Sequence, residues 1–132
     1  MALVRSTVII IFGICAFAAS TLADSTQDIA IGYDAYTRGD FSEAAVRFLE
    51  AAENGNVTAQ DSLGVMYANG EGVPRNYALA LMWFEIASDN VPKADMLWRS
   101  RLVEFKAKAA VHLTPAQVSE ARQLARAWKA GR

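Results

Sequence analysis

Two stretches of this 132-residue chain repeat one another, and few folds are compatible with such a repeat. When residues 31–56 are laid over residues 63–90, the second stretch has four additional residues, inside the segment GEGVPRN. The small and aromatic residues on either side coincide: Gly32 with Gly64, Ala44 with Ala80, Phe48 with Phe84 and Ala51 with Ala87. We therefore expect two helices joined by a turn, repeated once with a longer turn.

Apolar residues in the second stretch recur at the three- and four-residue spacing of a helix face. They are Ala59, Leu63, Met66 and Tyr67 in one helix and Ala80, Trp83, Phe84 and Ala87 in the next. Gly64 lies inside the first of these helices, where glycine costs about 1 kcal/mol relative to alanine. Because such a glycine is tolerated where another helix comes close, we expect close packing against Trp83 and Phe84.

Glycine and proline mark the turns between these helices. Gly70 suits the left-handed conformation that ends a helix, and Gly72 makes the tight turn possible. Pro74 prevents the chain from continuing as a helix until about Asn76. In the first copy a shorter turn precedes Asp40, which is the expected N-cap of a helix over residues 41–54.

The C-terminal third is also helical, without the glycines of the repeat. We expect one helix over residues 94–110 and a second over residues 115–129, in which Thr114 and Gln117 form a capping box. The apolar face of the second helix consists of Val118, Ala121, Leu124, Ala125 and Trp128. This helix pair is expected to cover the apolar end of the stack.

Residues 1–23 have the layout of a secretory signal peptide. Arg5 precedes an uncharged segment with an apolar centre, and small residues stand one and three positions before Asp24. We expect cleavage near Ala23 and export, giving a periplasmic or secreted protein. A retained membrane anchor is the alternative, although an apolar helix over 8–19 would span only about 18 Å of a hydrocarbon core roughly 30 Å thick.

Charge is distributed unevenly along the remaining chain. Residues 24–90 have 11 acidic and 3 basic side chains, a net charge of −8, whereas residues 91–132 have 9 basic and 3 acidic side chains, a net charge of +6. This asymmetry could favour assembly between copies or recruit a charged partner, but charge runs are often only solvated faces.

These motifs together resemble the Sel-1-like repeat proteins, relatives of the tetratricopeptide repeats, and indicate a small exported bacterial member. The motif residues are Gly32, Gly64, Tyr67, Gly70, Gly72, Ala80, Trp83, Phe84 and Ala87. Residues 57–90 match the pattern best. Residues 24–56 form a divergent first repeat, and residues 91–132 form a divergent helical cap.

The resemblance implies an all-α fold, an α/α superhelix or solenoid of helical hairpins with a C-terminal capping helix pair. It also implies a non-enzymatic adaptor or scaffold that binds another protein or peptide on its concave face. The residues expected on that face are Tyr33, Tyr36, Thr37, Asp61, Val65 and Asn69, together with Ile29 and Ala68. Alternatively, Tyr36 packs into the core and the others are ordinary surface. A further alternative is a structural or regulatory subunit that assembles through its acidic and basic halves.

The sequence offers little for catalysis or cofactor binding. Cys15, the single cysteine, lies in the signal segment, and His112 is the single histidine, so neither a Cys/His pair nor a multi-histidine metal site is expected after cleavage. We predict no enzymatic activity, no cofactor and no metal. Nucleic acid is not an expected partner because the protein is exported and not basic overall. A membrane would be a partner only if the signal segment were retained.

Overall fold

The computed structural model describes residues 25–132, and the predicted signal peptide lies outside them. These residues form helices and turns. The first helical segment, α1, covers residues 25–37. The helices that follow are α2 (Phe41–Glu53), α3 (Val57–Asn69), α4 (Tyr77–Asn90), α5 (Met96–Ala110) and α6 (Pro115–Ala130). The all-α prediction is confirmed for the described part of the chain.

A polar side chain caps the start of each helix from α2 to α6. In each case it accepts a hydrogen bond from the backbone N–H three residues later, and the capping residues are Asp40, Asn56, Asn76, Asp95 and Thr114. The predicted capping box of Thr114 and Gln117 is present. Helix α5 begins two residues later than predicted, because Asp95 is its N-cap. The backbone N–H of Asp95 donates a hydrogen bond to the carbonyl oxygen of Pro92, so residues 92–95 form a turn before the helix.

In chain order the six described helices form three consecutive pairs, which we call hairpins: α1 with α2, α3 with α4, and α5 with α6. Helix α3 packs against α2 and α4, while α4 also packs against α5 and α6. Side-chain contacts place the first helices of the hairpins next to one another: Tyr36 of α1 contacts the turn after α3, and Asp61 of α3 contacts α5. We call the exposed surface formed by α1, α3 and α5 the first-helix face.

Glycine lets the two helices of the first two hairpins approach each other closely. A Cβ atom on Gly32 would lie 2.8 Å from Cε1 of Phe48, and one on Gly64 would overlap the ring of Phe84. Both rings are almost fully buried. The expected close packing at Gly64 is therefore present, with Phe84 as the partner, and Trp83 is buried beside it against the ring of Trp128.

The long turn of the second hairpin depends on Gly70 and Gly72. Both have φ 71°, a left-handed conformation that favours glycine, and Gly70 is the C-cap of α3. A side chain at Gly72 would also strike the carbonyl group of Phe41 at the start of α2. The turn after α3 therefore packs directly against the start of α2, in the preceding hairpin.

The third hairpin is packed differently. Gly64 and Phe84 are each the eighth residue after a helix N-cap, and Val103 and Arg122 occupy those places in α5 and α6. Val103 is exposed, and α5 and α6 pack mainly against α4, where Leu102, Ala109 and Ala121 are buried. Leu124, expected on the apolar face of α6, is 46% exposed because no further helix covers it among the described residues.

None of the helices within residues 25–132 has both the length and the apolar character that crossing a bilayer requires.

Candidate protein-binding surface

Two neighbouring clefts lie on the first-helix face. The first, which we call the tyrosine cleft, has a volume of about 260 Å³ and is lined chiefly by Tyr33, Tyr36, Phe48, Asp61, Val65 and Phe105. Its residues come from α1, α2, α3 and α5, so the cleft exists only when the three hairpins are stacked. Most of its lining is aromatic or aliphatic, and Asp61 is the acidic residue among those that line it.

Tyr33 and Tyr36 form the side of the tyrosine cleft that α1 contributes. The ring of Tyr33 packs edge-on against Phe48, with 5.1 Å between ring centroids, and its hydroxyl lies 3.3 Å from Ser62 Oγ. Tyr36 donates a hydrogen bond of 2.7 Å to Glu71 Oε2. This hydrogen bond, together with burial, raises the pKa of the Tyr36 phenol above its ordinary value. Tyr36 is therefore protonated at any physiological pH.

Asp61 is 6% exposed and makes contacts with α5 through one of its two carboxylate oxygens. Its Oδ2 accepts a hydrogen bond of 3.0 Å from Trp98 Nε1 and lies 2.5 Å from Nη2 of Arg101. Its Oδ1 is buried and has no hydrogen-bond partner among the described residues. A buried polar atom without a partner costs roughly 1–3 kcal/mol, and among the described residues Asp61 Oδ1 shares this condition with Ser88 Oγ.

The second cleft, which we call the histidine cleft, continues the first along α3 and α5. It has a volume of about 340 Å³, and its polar lining includes Asn69, Lys108 and His112. The ring of His112 stacks on Tyr77, with 4.0 Å between centroids. Val65 and Phe105 line both clefts, which therefore form one surface.

The structure distributes the expected concave-face residues over these clefts. Tyr33, Tyr36, Asp61 and Val65 meet in the tyrosine cleft, whereas Asn69 and Ala68 line the histidine cleft. Thr37 lines neither cleft. It follows Tyr36 on α1, points to another side of the helix and donates its hydroxyl to the carbonyl oxygen of Asp34. Ile29 packs against the core instead.

Sequence reasoning missed the contribution of α5 to this surface. Trp98, Arg101 and Phe105 contact or line the tyrosine cleft, yet α5 lacks the repeat glycine that would have aligned it with α3. Their spacing was the available signal, because residues three and four positions apart share one side of a helix.

Basic residues of the third hairpin pair with acidic residues of α3 and α4. The pairs are Arg101 with Asp61, Lys106 and Arg122 with Glu85, and Lys129 with Asp89. Glu85 thus contacts both C-terminal helices, at 3.5 Å from Lys106 Nζ and 3.1 Å from Arg122 Nε. Ion pairs within the molecule therefore balance part of the charge difference between the two halves of the sequence.

Residues 25–132 contain no group of three or more His, Cys, Asp or Glu placed to hold a metal ion. The two clefts combine an apolar floor with a few polar groups, an arrangement that suits recognition of another molecule.

Stacked helical hairpins with small residues between their helices give the described part of the chain the architecture of a helical-repeat protein. Residues 57–90, the second hairpin, match the family model of the Sel1 repeat. Sel1 repeats are generally protein-interaction modules and typically non-catalytic, which supports a protein-binding role for this chain. Comparison with curated proteins and with solved structures gave no match.

Proposed function

We propose that this chain is an exported, non-enzymatic adaptor that binds another protein by holding an extended segment of it on the first-helix face. The observation that carries the proposal is the pair of clefts that share Val65 and Phe105. A continuous surface of this kind fits several consecutive side chains of a peptide, whereas an isolated cavity fits one small molecule.

Aromatic side chains make this surface suitable for tight contact with a protein. Tyr33 is 43% exposed although its ring is held by Phe48, so it offers a rigid apolar surface to a partner. Rigid aromatic residues lose little conformational freedom on binding and are enriched among the residues that dominate interface energies.

Export is the second part of the proposal, and it rests on residues 1–23. Their charge, apolar stretch and small residues before Asp24 are those of a cleaved signal peptide. The partner would then be a protein of the periplasm or of the extracellular medium.

The test is site-specific photo-cross-linking in the native host. We expect a photo-reactive phenylalanine analogue at position 33 to capture a defined partner, which then copurifies with the tagged chain. The matched control carries the analogue at Val46, which is also about half exposed but lies on α2 outside both clefts. Equal capture from both positions, or capture from the control alone, would contradict binding on the first-helix face.

A pair of valine substitutions gives an independent measurement. Val65→Arg places a charge in both clefts and should abolish recovery of the partner, whereas Val46→Arg should leave recovery unchanged. Circular dichroism of both variants establishes that each is folded. Cell fractionation of the same strains tests export, which fails if the chain stays in the cytoplasm.

A further inference from the structure

We infer that the groove between α5 and α6 binds an acidic amphipathic helix of another protein. This groove, which we call the C-terminal groove, is lined chiefly by Met96, Arg99, Val103 and Lys106 of α5 and by Arg122 and Arg126 of α6. The inference goes beyond the proposed function, because the groove is a second surface and shares no lining residue with the two clefts.

The C-terminal groove exists because α5 and α6 both pack on α4 and hardly contact each other. A cavity of about 270 Å³ lies along α5, and one of about 560 Å³ lies against α6 and the turn before it. Lys106 lines the first cavity and Arg122 lines the second, and both contact the carboxylate of Glu85 on α4. Glu85 therefore marks the floor of one groove that includes both cavities.

The C-terminal groove is turned away from the first-helix face. The groove residues of α5 recur at three- and four-residue intervals from Met96 to Lys106, so they share one side of the helix. Arg101 and Phe105, which line the tyrosine cleft, lie about half a turn away from that side. A partner in the groove therefore leaves the two clefts free.

The α5 wall of the groove carries exposed apolar side chains. Met96 is 67% exposed and Val103 is 62% exposed, and they stand about two turns apart on the same side of the helix. Apolar groups that are rimmed by charged side chains suit contact with another protein. A partner with apolar residues along one face would cover both.

Charge determines the sign of the partner. Lys106 and Arg122 share the carboxylate of Glu85, while Arg99 and Arg126 form no ion pair within residues 25–132. Arg99 reaches only a backbone carbonyl oxygen, at 3.5 Å. Four basic side chains therefore accompany one carboxylate, an excess of three positive charges. Carboxylates beside the apolar face of a partner would balance this excess.

The hydrogen-bonding character of the walls favours a helical partner over an extended one. The basic side chains of the walls only donate hydrogen bonds, so they offer no acceptor to the backbone N–H groups of an extended chain. A helix satisfies its own backbone and presents only side chains to a groove. The α5 wall runs for about four turns, roughly 21 Å, which matches a helix of about 14 to 16 residues.

Three blocked peptides of about 16 residues test the inference on the purified full chain by isothermal titration calorimetry. The first is a helix of alanine, leucine and glutamate with its leucines on one face. The second has lysine in place of each glutamate, and the third is the first with a central proline, which breaks the helix. We expect the acidic helix to bind at least about tenfold more tightly than either of the others. Equal affinity of the acidic helix and either control, or binding of none of them, would overturn the inference.

Arg99→Gln/Arg126→Gln locates the charges that the acidic helix meets. Because neither arginine has a carboxylate partner within residues 25–132, we expect this variant to keep its fold and to bind the acidic helix about tenfold more weakly. The matched control is Arg38→Gln/Arg75→Gln, which removes the same charge from exposed positions in the first two hairpins. Equal weakening by both variants would show attraction to the protein as a whole and would contradict a site in the groove.

Val103→Asp tests the apolar wall, and Leu97→Asp is its control, since Leu97 is also exposed on α5 but lies outside the groove. We expect only Val103→Asp to abolish binding of the acidic helix, with circular dichroism showing both variants folded. Sedimentation of the protein without peptide tests whether a second copy occupies the groove. A mass above that of one chain that falls to one chain in Val103→Asp would make the groove an interface between copies and overturn the inference.

Val65→Arg separates this inference from the proposed function. The substitution places a charge in both clefts, so it should abolish recovery of the partner held on the first-helix face and leave binding of the acidic helix unchanged. Loss of acidic-helix binding in folded Val65→Arg would place the peptide in the clefts and remove the C-terminal groove as its site.

Discussion

At the scale of single residues, the contact between glycine and phenylalanine determines how closely two helices of a hairpin approach. Gly64 and Phe84 make this contact in the second hairpin, and Gly32 and Phe48 make it in the first. The glycine costs helix stability, but it allows a whole phenyl ring to be buried against the backbone of the neighbouring helix. Repetition of the same pair in both hairpins is what made the repeat visible in the sequence.

Gly64→Ala is expected to lower the free energy of unfolding by roughly 1–3 kcal/mol, because the added methyl group overlaps the buried Phe84 ring. Alanine's higher helix propensity offsets only part of this loss. The measurement is chemical denaturation, with Gly131→Ala as the control, since a Cβ there meets only ordinary contacts. Phe84→Leu in the Gly64→Ala background should recover part of the stability. A Gly64→Ala protein as stable as the wild type would contradict the close packing.

At the scale of helices, the third hairpin is held by α4 and only weakly by its own two helices. Val103 and Arg122 stand where the other hairpins have glycine and phenylalanine, so α5 and α6 do not approach in the same way. Glu85 lies between them and contacts Lys106 of α5 and Arg122 of α6. The Glu85 carboxylate of α4 therefore contacts both C-terminal helices, beside the apolar packing that holds them on α4.

Glu85→Gln is expected to loosen both C-terminal helices at once. Because the substitution removes the charge that two basic residues share, amide hydrogen exchange should become faster in α5 and α6, with α2 and α3 unaffected. Glu104→Gln is the matched control, since Glu104 pairs with Lys108 inside α5 itself. Faster exchange in only one of the two helices would show that Glu85 does not link them.

At the scale of the whole molecule, the acidic and basic parts of the sequence meet inside one chain. The pairs of Arg101, Lys106, Arg122 and Lys129 with α3 and α4 join the two halves that differ in charge. Such pairs contribute about 0–1 kcal/mol each when they are exposed, and less at high salt. These contacts favour an intramolecular role for the charge over the alternative of assembly between copies.

Raising the salt concentration from about 50 mM to about 1 M shortens the Debye length from roughly 14 Å to roughly 3 Å and screens these pairs. We expect the sedimentation mass to remain constant, while the melting temperature falls by a few degrees as the third hairpin loses support. Sodium chloride is suitable because it acts mainly through screening. A mass that decreases with salt would instead support a subunit that assembles through its acidic and basic halves.

Local signals made much of the fold predictable. The caps at Asp40 and Thr114, the left-handed Gly70 and the buried Trp83 all follow from residue type and spacing. The position of α5 did not, because its partner in the stack is 37 to 40 residues away and no repeated glycine marks the alignment. The α1 and α3 walls of the tyrosine cleft were therefore predictable, but the α5 wall was not.

The absence of a glycine–phenylalanine pair in the third hairpin also bears on how longer arrays of this kind could arise. A fourth hairpin joined after α6 would meet the exposed Val103 and Leu124 on helices that α4 holds in place. A duplicate of residues 57–90 inserted ahead of α5 would carry its own pair and would present α5 and α6 with another copy of α4. Growth by duplication is therefore easiest from the middle of this molecule, where each added copy of residues 57–90 carries its own glycine–phenylalanine pair.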